Sequence, residues 1–192
     1  MKAVYAFINY YENLALIPNS WIYAPLGKLG TFTRGSGIKR NETCKFGYPC
    51  IRYGELYTTY KGSIHKIVSF VPLEIFVKSK KIHKNDVLMA LTGENKEDIS
   101  TAVAYLGEDD VAMGGDMTSY SSQTLHPLYT TYVINSPYGL SCRRNLATGD
   151  IIVHMSNDKL SSIVVPVPPI NEQNIIVKKV QIILKKIDNL IF

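Results

Sequence analysis

Arg52-Tyr53-Gly54-Glu55-Leu56-Tyr57-Thr58-Thr59-Tyr60-Lys61 is the densest run of chemistry-bearing side chains in the sequence. Arginine grips phosphate or bonds bidentately to a guanine edge. Tyrosine offers a rigid apolar face with a hydroxyl tip. Gly54 permits a turn that presents its neighbours. Two readings of this run stay open: interleaved aromatic and basic residues of a DNA-facing loop, or a half-buried strand whose tyrosines pack on a sheet. A second cluster is Gly35–Arg40, where two glycines bracket polar atoms and Lys39 and Arg40 are adjacent. It lacks the spacing and the Lys-Ser/Thr ending of a nucleotide-binding P-loop. Phosphate positioning is its natural role, with base contact possible. Arg143 and Arg144 form a third basic pair, read equally as a phosphate clamp or as a solvated pair.

Charge is unevenly placed. The 192-residue chain carries a net +5. Between residues 28 and 66 the cations Lys28, Arg34, Lys39, Arg40, Lys45, Arg52, Lys61 and Lys66 face only Glu42 and Glu55, whereas Glu94–Asp116 is acidic. Such asymmetry can build a basic face for phosphate, or be a solvated surface with chance clustering. An apolar content of 46% fits a globular domain with a real core plus an appendage. No apolar stretch approaches the roughly 20 residues of a membrane span. The apolar start after Lys2 is broken by Tyr10, Tyr11, Glu12 and Asn13, so no signal peptide is read there. Cys44, Cys50 and Cys142 lack zinc spacing and read as reduced packing or surface thiols of a cytoplasmic protein.

The elements expected to position these residues are mostly strands. The region 21–34 alternates and reads as strand, as do 48–53, His65–Phe70, Asp86–Leu91, Thr101–Leu106, Val111–Thr118, Ile151–Met155 and Ser162–Val167. Gly114 and Gly115 mark a bulge or a close backbone approach. Leu125–Asn135 is a helix candidate. The tail is clearer. Pro168 and Pro169 hold an extended segment, Asn171 is positioned as an N-cap, and Glu172 suits the positive end of the helix dipole. Ile176, Val180, Ile183, Ile187 and Leu190 then recur at alternating steps of four and three, with Lys178, Lys179, Lys185 and Lys186 mostly off that seam. A seam this narrow fits a partner helix better than a globular surface, and it continues toward Phe192.

The string PVPPINEQ at 166–173 entering a long helix resembles the specificity subunits of type I DNA restriction-modification systems. Pro18 and Trp21 followed by LGKLG at 26–30 are similar to the start of that family's target recognition domain. GSGIKR at 35–40, GYPCIRYGELYTTY at 47–60, KNDVLMALTGENKEDIS at 84–100, AMGGDM at 112–117 and IIVHMS at 151–156 follow in the family's order. Ser100 stands where members commonly have glycine, which touches the local loop conformation. The resemblance implies an α+β fold: a leading segment 1–17, a strand-rich target recognition domain 18–170 with a curved mixed sheet, and a conserved C-terminal helix 171–192 for coiled-coil pairing. It implies a non-catalytic subunit that reads one half of a split DNA site. Arg52 and Lys61 are then expected outside, with at least one of Tyr53, Tyr57 and Tyr60 near DNA, and Thr92 and Glu94 lie in a loop near the recognition surface, where Glu94 could accept a hydrogen bond from cytosine N4. Double-stranded DNA, a modification subunit and a restriction subunit are the implied partners. S-adenosylmethionine, ATP and magnesium would belong to those partners, not to this chain.

Full-length members typically carry two recognition domains and two conserved helices, and this chain holds one of each. Two chains could therefore pair through the helix and read inverted half-sites. Equally, the chain could be a truncated or phase-variable fragment. A recognition-domain homologue turned protein-binding regulator is a further reading. Two enzyme readings compete. Asn135-Ser136-Pro137-Tyr138 is one residue from the Asn-Pro-Pro-Tyr motif of adenine-N6 methyltransferases, and Asp86 with Glu94-Asn95-Lys96 faintly matches a metal-dependent nuclease set. Neither has the surrounding signals, and His154 reads as a structural histidine, not a metal ligand.

Overall fold

The computed structural model describes residues 16–191, so the leading segment 1–17 lies almost wholly outside the described residues. The strand expected over 21–34 is broken in two. β1 (Ile22–Pro25) and β2 (Thr31–Arg34) flank one helical turn at Leu26–Leu29. Leu26 is fully buried, and its backbone is held from both sides: its N–H donates to Ile163 O at 2.9 Å and its carbonyl accepts from Tyr120 Oη at 3.0 Å.

The remaining strands are β3 (Tyr48–Ile51), β4 (Ser63–Ile64), β5 (Ser69–Val71), β6 (Lys81–Ile82), β7 (Val87–Ala90), β8 (Thr92–Gly93), β9 (Val103–Tyr105), β10 (Val111–Met113), β11 (Met117–Ser121), β12 (Val153–His154) and β13 (Val164–Val167). They form one sheet ordered β2-β11-β7-β9-β4, another ordered β5-β3-β10-β6, and the pairs β1-β13 and β12-β8. Both larger sheets are mixed, through the parallel pairs β4-β9 and β3-β10. The α+β reading holds, with the strands spread over two mixed sheets and two strand pairs.

β7 shows why. All four of its residues are buried; Val87 and Met89 join one core cluster, Leu88 and Ala90 the other. A strand covered on both faces reads as a continuous apolar run, and successive side chains point to opposite faces.

Two further strand expectations need correction. His65–Phe70 is not continuous: strand pairing falls at β4 and β5, and Val68 N–H donates to the Tyr60 hydroxyl at 3.2 Å instead of to a ladder. Val111–Thr118 divides at Gly114-Gly115-Asp116 into β10 and β11, which belong to different sheets. A Cβ on Gly114 would sit 2.9 Å from Ile51 O, so the close-approach reading of that glycine is the right one.

The expected Leu125–Asn135 helix is α1 (Pro127–Asn135), capped by His126, whose Nδ1 accepts from Leu128 N–H at 3.1 Å. A second helix, α2 (Pro137–Leu146), was not anticipated. Its start is the methyltransferase-like tetrapeptide. Asn135 exchanges two 2.8 Å hydrogen bonds with the Ala102 backbone, Ser136 Oγ caps Gly139 N–H at 3.2 Å, Pro137 occupies the first turn, and Tyr138 Oη donates to Val164 O at 2.6 Å. Those residues are committed to joining two helices to the sheet and to β13.

The terminal helix α3 (Ile170–Ile191) begins one residue before Asn171, which therefore lies inside the first turn and is not the cap. The two residues after it do the anchoring. Glu172 accepts from Trp21 Nε1 at 2.7 Å. Gln173 is buried; its Oε1 accepts from His126 N–H at 2.7 Å, and its Nε2 donates to Thr124 O and Pro168 O at 3.0 and 2.9 Å. A buried amide with its donors and acceptor matched fixes the helix's exit direction. Val177 is buried and Ile176 packs on the core. Val180 is half-buried, and beyond it every side chain described is exposed, including Ile183, Ile187 and Leu190. The helix thus docks by its first turns and leaves the rest of its apolar seam facing solvent. Among the described residues no helix is long and apolar enough to cross a membrane.

Candidate nucleic-acid interface

Several turns meet backbone to backbone where the two larger sheets adjoin. Gly35 N–H donates to Met117 O at 3.0 Å, Gly114 N–H to Ile51 O at 2.8 Å, and Leu91 N–H to Asp116 O at 2.7 Å. Gly35 lies against Gly114, with no room for a side chain, and Gly37 against Gly115. Hydrogen bonds and missing side chains together allow this approach. It brings the ends of β2, β3, β7 and β10, and so Arg34, Arg52, Tyr53 and Thr92, to one region of the surface.

The cations singled out in the sequence are in different states. Arg34 is 66% exposed at its side chain and stands 3.6 Å from Asp116, a surface contact of little strength. Lys39 and Arg40 are exposed on the turn that follows the glycine loop; the Lys39 backbone N–H donates to Glu42 Oε2 at 2.6 Å, which orders that turn. Lys61 is exposed beside β4. Arg52 is not outside. Its guanidinium is half-buried and bonded to Glu55 at 3.1 and 3.3 Å, while Glu55, itself buried, also accepts from the Arg52 N–H and from Ser69 Oγ. Arg52 is therefore bound into the first turn after β3 and is not poised as a free contact.

The tyrosines separate likewise. Tyr60 is buried, and burial pushes its hydroxyl up to about 12. It packs with Leu56 and Ile64, so it cannot meet a ligand. Tyr53 and Tyr57 line an open cleft of about 540 Å³ together with Thr92, Glu94, Asn95, Asp98 and Ile152. Tyr57 Oη donates to Thr92 O at 2.9 Å; burial first, then the neighbouring Asp98, raises its pKa to about 12, so it stays a neutral donor. The half-buried-strand reading of residues 52–61 is thus half right: a helical turn at Glu55–Thr58 buries Leu56 and Tyr60 inward and leaves Tyr53 and Tyr57 on the cleft.

The basic pair of α2 is corrected. Arg143 is neither clamp nor solvated. It is 3% exposed, its Nε donates to Ile134 O at 3.2 Å and its Nη1 to Ile99 O. Arg144 is exposed and holds Glu97 at 3.0 Å. From below and from outside, the two arginines hold the loop that carries Glu94 and Asp98. That loop also closes on itself: Asn95 Nδ2 donates to Asp98 Oδ2 at 2.9 Å and Asp98 N–H to Asn95 Oδ1 at 2.8 Å. Ser100, at the glycine position, has φ 56°, and its hydroxyl donates to Ala90 O at 2.8 Å. A serine here keeps the left-handed turn and adds an anchor.

Asn95, Asp98 and Ile152 are cleft residues that the sequence reading missed. The reciprocal Asn-x-x-Asp spacing was a usable signal for an ordered loop. Nothing local marks Ile152, which arrives through the β8-β12 pairing of Gly93 with Val153. His154 lies on that strand, exposed, and Ser156 caps the turn at Asn157–Ser161.

No protein-family model matches the chain. Among curated proteins it is 21% identical over 182 residues to the StySPI type I restriction enzyme specificity subunit of Salmonella potsdam, covering 92% of this chain and 39% of that one. It is 21% identical over 180 residues to the EcoKI specificity subunit of Escherichia coli, covering 90% and 38%. The chain thus spans less than half the length of these relatives. Among solved structures, the HsdS subunit of Thermoanaerobacter tengcongensis matches with a TM-score of 0.69 at 14% identity, over 98% of this chain and 44% of that one. That likeness shows the fold. The resemblance read from the motifs is borne out over most of the chain.

Proposed function

We propose that this chain is the DNA-reading part of a type I specificity subunit, one recognition domain (18–170) with one pairing helix (171–192), that directs partner subunits to one half of a split site. The observation that carries the proposal is the extent of the likeness: it runs through the loop-bearing body and the helix, not through a single motif. The exposed cations Arg34, Lys39 and Arg40 on adjoining loops supply phosphate contacts in this reading, and the cleft supplies base choice. Arg144 joins them at most as a rim contact, because Glu97 already holds it.

The chain has no catalysis of its own in this account. Methyl transfer and cleavage belong to the modification and restriction subunits, which would bring S-adenosylmethionine, ATP and magnesium in the cytoplasm. The exposed seam at Ile183, Ile187 and Leu190 pairs with a like helix, from a second copy of this chain or from a longer subunit, and so sets the spacing between two readers.

Phosphate-dominated binding weakens with salt in proportion to the contacts made. The Arg34→Ala/Lys39→Ala/Arg40→Ala variant of the full chain is expected to bind a random duplex about tenfold or more weakly at ~0.1 M salt, with a salt slope shallower by about two to three contacts. Fluorescence anisotropy over a salt series measures both. An affinity and slope equal to the parent's would remove these loops from the interface.

A further inference from the structure

We infer that the cleft between the Glu55–Thr58 turn and the 92–98 loop reads a base edge bearing an exocyclic amine, that of cytosine or adenine, with Glu94 and Asp98 as its specificity-determining acceptors. This rests on the DNA-reading function proposed above and assigns one site its share of that work.

The cleft's volume, about 540 Å³, is in the range that takes a small planar group. Its walls include two phenol rings, and the ring of Tyr57 is fixed because its hydroxyl is committed to Thr92 O. Flat apolar faces of this kind accommodate a base. The charged side chains that line the cleft, Glu94 and Asp98, are both acidic. Ionised carboxylates only accept hydrogen bonds. Cytosine N4 and adenine N6 offer donors in the major groove, whereas guanine O6 and N7 and thymine O4 offer acceptors. Glu94 and Asp98 therefore favour the first pair of bases and repel the second.

The same carboxylates repel phosphate, so the backbone is left to the cations outside the cleft. The loop is also ordered before any ligand arrives, by the Asn95–Asp98 hydrogen bonds, the Glu97–Arg144 ion pair and the Arg143–Ile99 contact. An ordered loop loses less freedom on binding. A cationic side chain of a partner protein is the other occupant that acids and phenols suit. The surroundings oppose it: Arg34 and the Lys39–Arg40 pair on the adjoining loops repel a cationic segment and attract the phosphates that flank a base.

The test uses the full chain assembled with a type I modification subunit and a randomised duplex pool at about 0.15 M salt. The wild type is compared with Glu94→Gln/Asp98→Asn, and with Glu94→Gln alone in case the pair does not fold. Each amide keeps the shape and adds donors, so guanine and thymine become tolerable. At one position of the enriched sequence, the preference for cytosine or adenine is expected to fall about tenfold, while total duplex affinity holds or rises. An unchanged preference at every position overturns the inference and leaves DNA reading intact. Loss of the modification subunit from the variants overturns it in favour of a protein-docking cleft. A wild-type assembly that enriches no sequence at all tells against the DNA-reading function itself.

Discussion

Replacing Arg143 by alanine is expected to lower the melting temperature by about 10 °C. The guanidinium is buried, and it is the donor to two backbone carbonyls, Ile134 O at the end of α1 and Ile99 O at the end of the cleft loop. Burial lowers its pKa, with Tyr57 and Asp98 opposing that shift, yet an arginine remains charged throughout the working range. Truncation strands both carbonyls away from water and leaves a cavity, together costing about 3 kcal/mol. For a domain of this size each kcal/mol shifts melting by about 2–4 °C. Lysine has a single terminal nitrogen in place of the planar fork and should recover less than half of the loss. Hydrogen exchange gives a second readout, because amides of the 94–99 loop should open faster in Arg143→Ala than in the parent. A melting temperature within about 2 °C of the parent's would mean that those carbonyls find other donors.

Replacing Ile183, Ile187 and Leu190 together by glutamate should abolish helix pairing and leave the fold untouched. All three are exposed, from 46% at Ile187 to 84% at Leu190, so acidic side chains cost the isolated domain almost nothing. In a paired helix the same positions would be buried, each contributing about 1.5–3 kcal/mol. Losing all three weakens association by well over a hundredfold at ~1.4 kcal/mol per factor of ten. Sedimentation should show the variant at lower mass than the parent across a concentration series, with the same melting temperature. Equal masses for parent and variant would show that the seam pairs with nothing of its own kind. The same changes at Ile176 and Val177 would instead unseat the helix, because those residues pack on the core.

Legibility in the sequence followed how local each cause was. The tail was readable because its determinants are neighbours: two prolines stop the strand, the next residues begin a helix, and the apolar seam repeats along one element. Even there, the roles of Glu172 and Gln173 were not visible. Their partners, Trp21 and His126, lie far away in the chain. β7 and β9 were legible because strands buried on both faces are apolar throughout. α2 was missed because proline and glycine disfavour a helix interior, while a serine cap followed by proline is also how a helix starts. The 65–68 segment looked like strand, but the Tyr60 hydroxyl took the Val68 N–H.

The site divided along the same line. Tyr53, Tyr57, Thr92 and Glu94 do share one cleft. Tyr60 and Arg143 are buried and Arg52 faces solvent only in part, because residue type alone does not reveal an ion pair with a buried partner or a buried guanidinium. In the sequence Asp98 is only one member of an acidic stretch, although it closes the loop and lines the cleft.

The central claim is that this chain chooses where a partner acts on DNA. Adenine methylation mapped across the genome tests it most directly, in cells making the chain together with its host's own modification subunit and in cells making that subunit alone. The account predicts methylation of a defined split sequence that appears only when the chain is present, with altered sequence when Glu94 and Asp98 are changed. Identical methylation maps with and without the chain would contradict it.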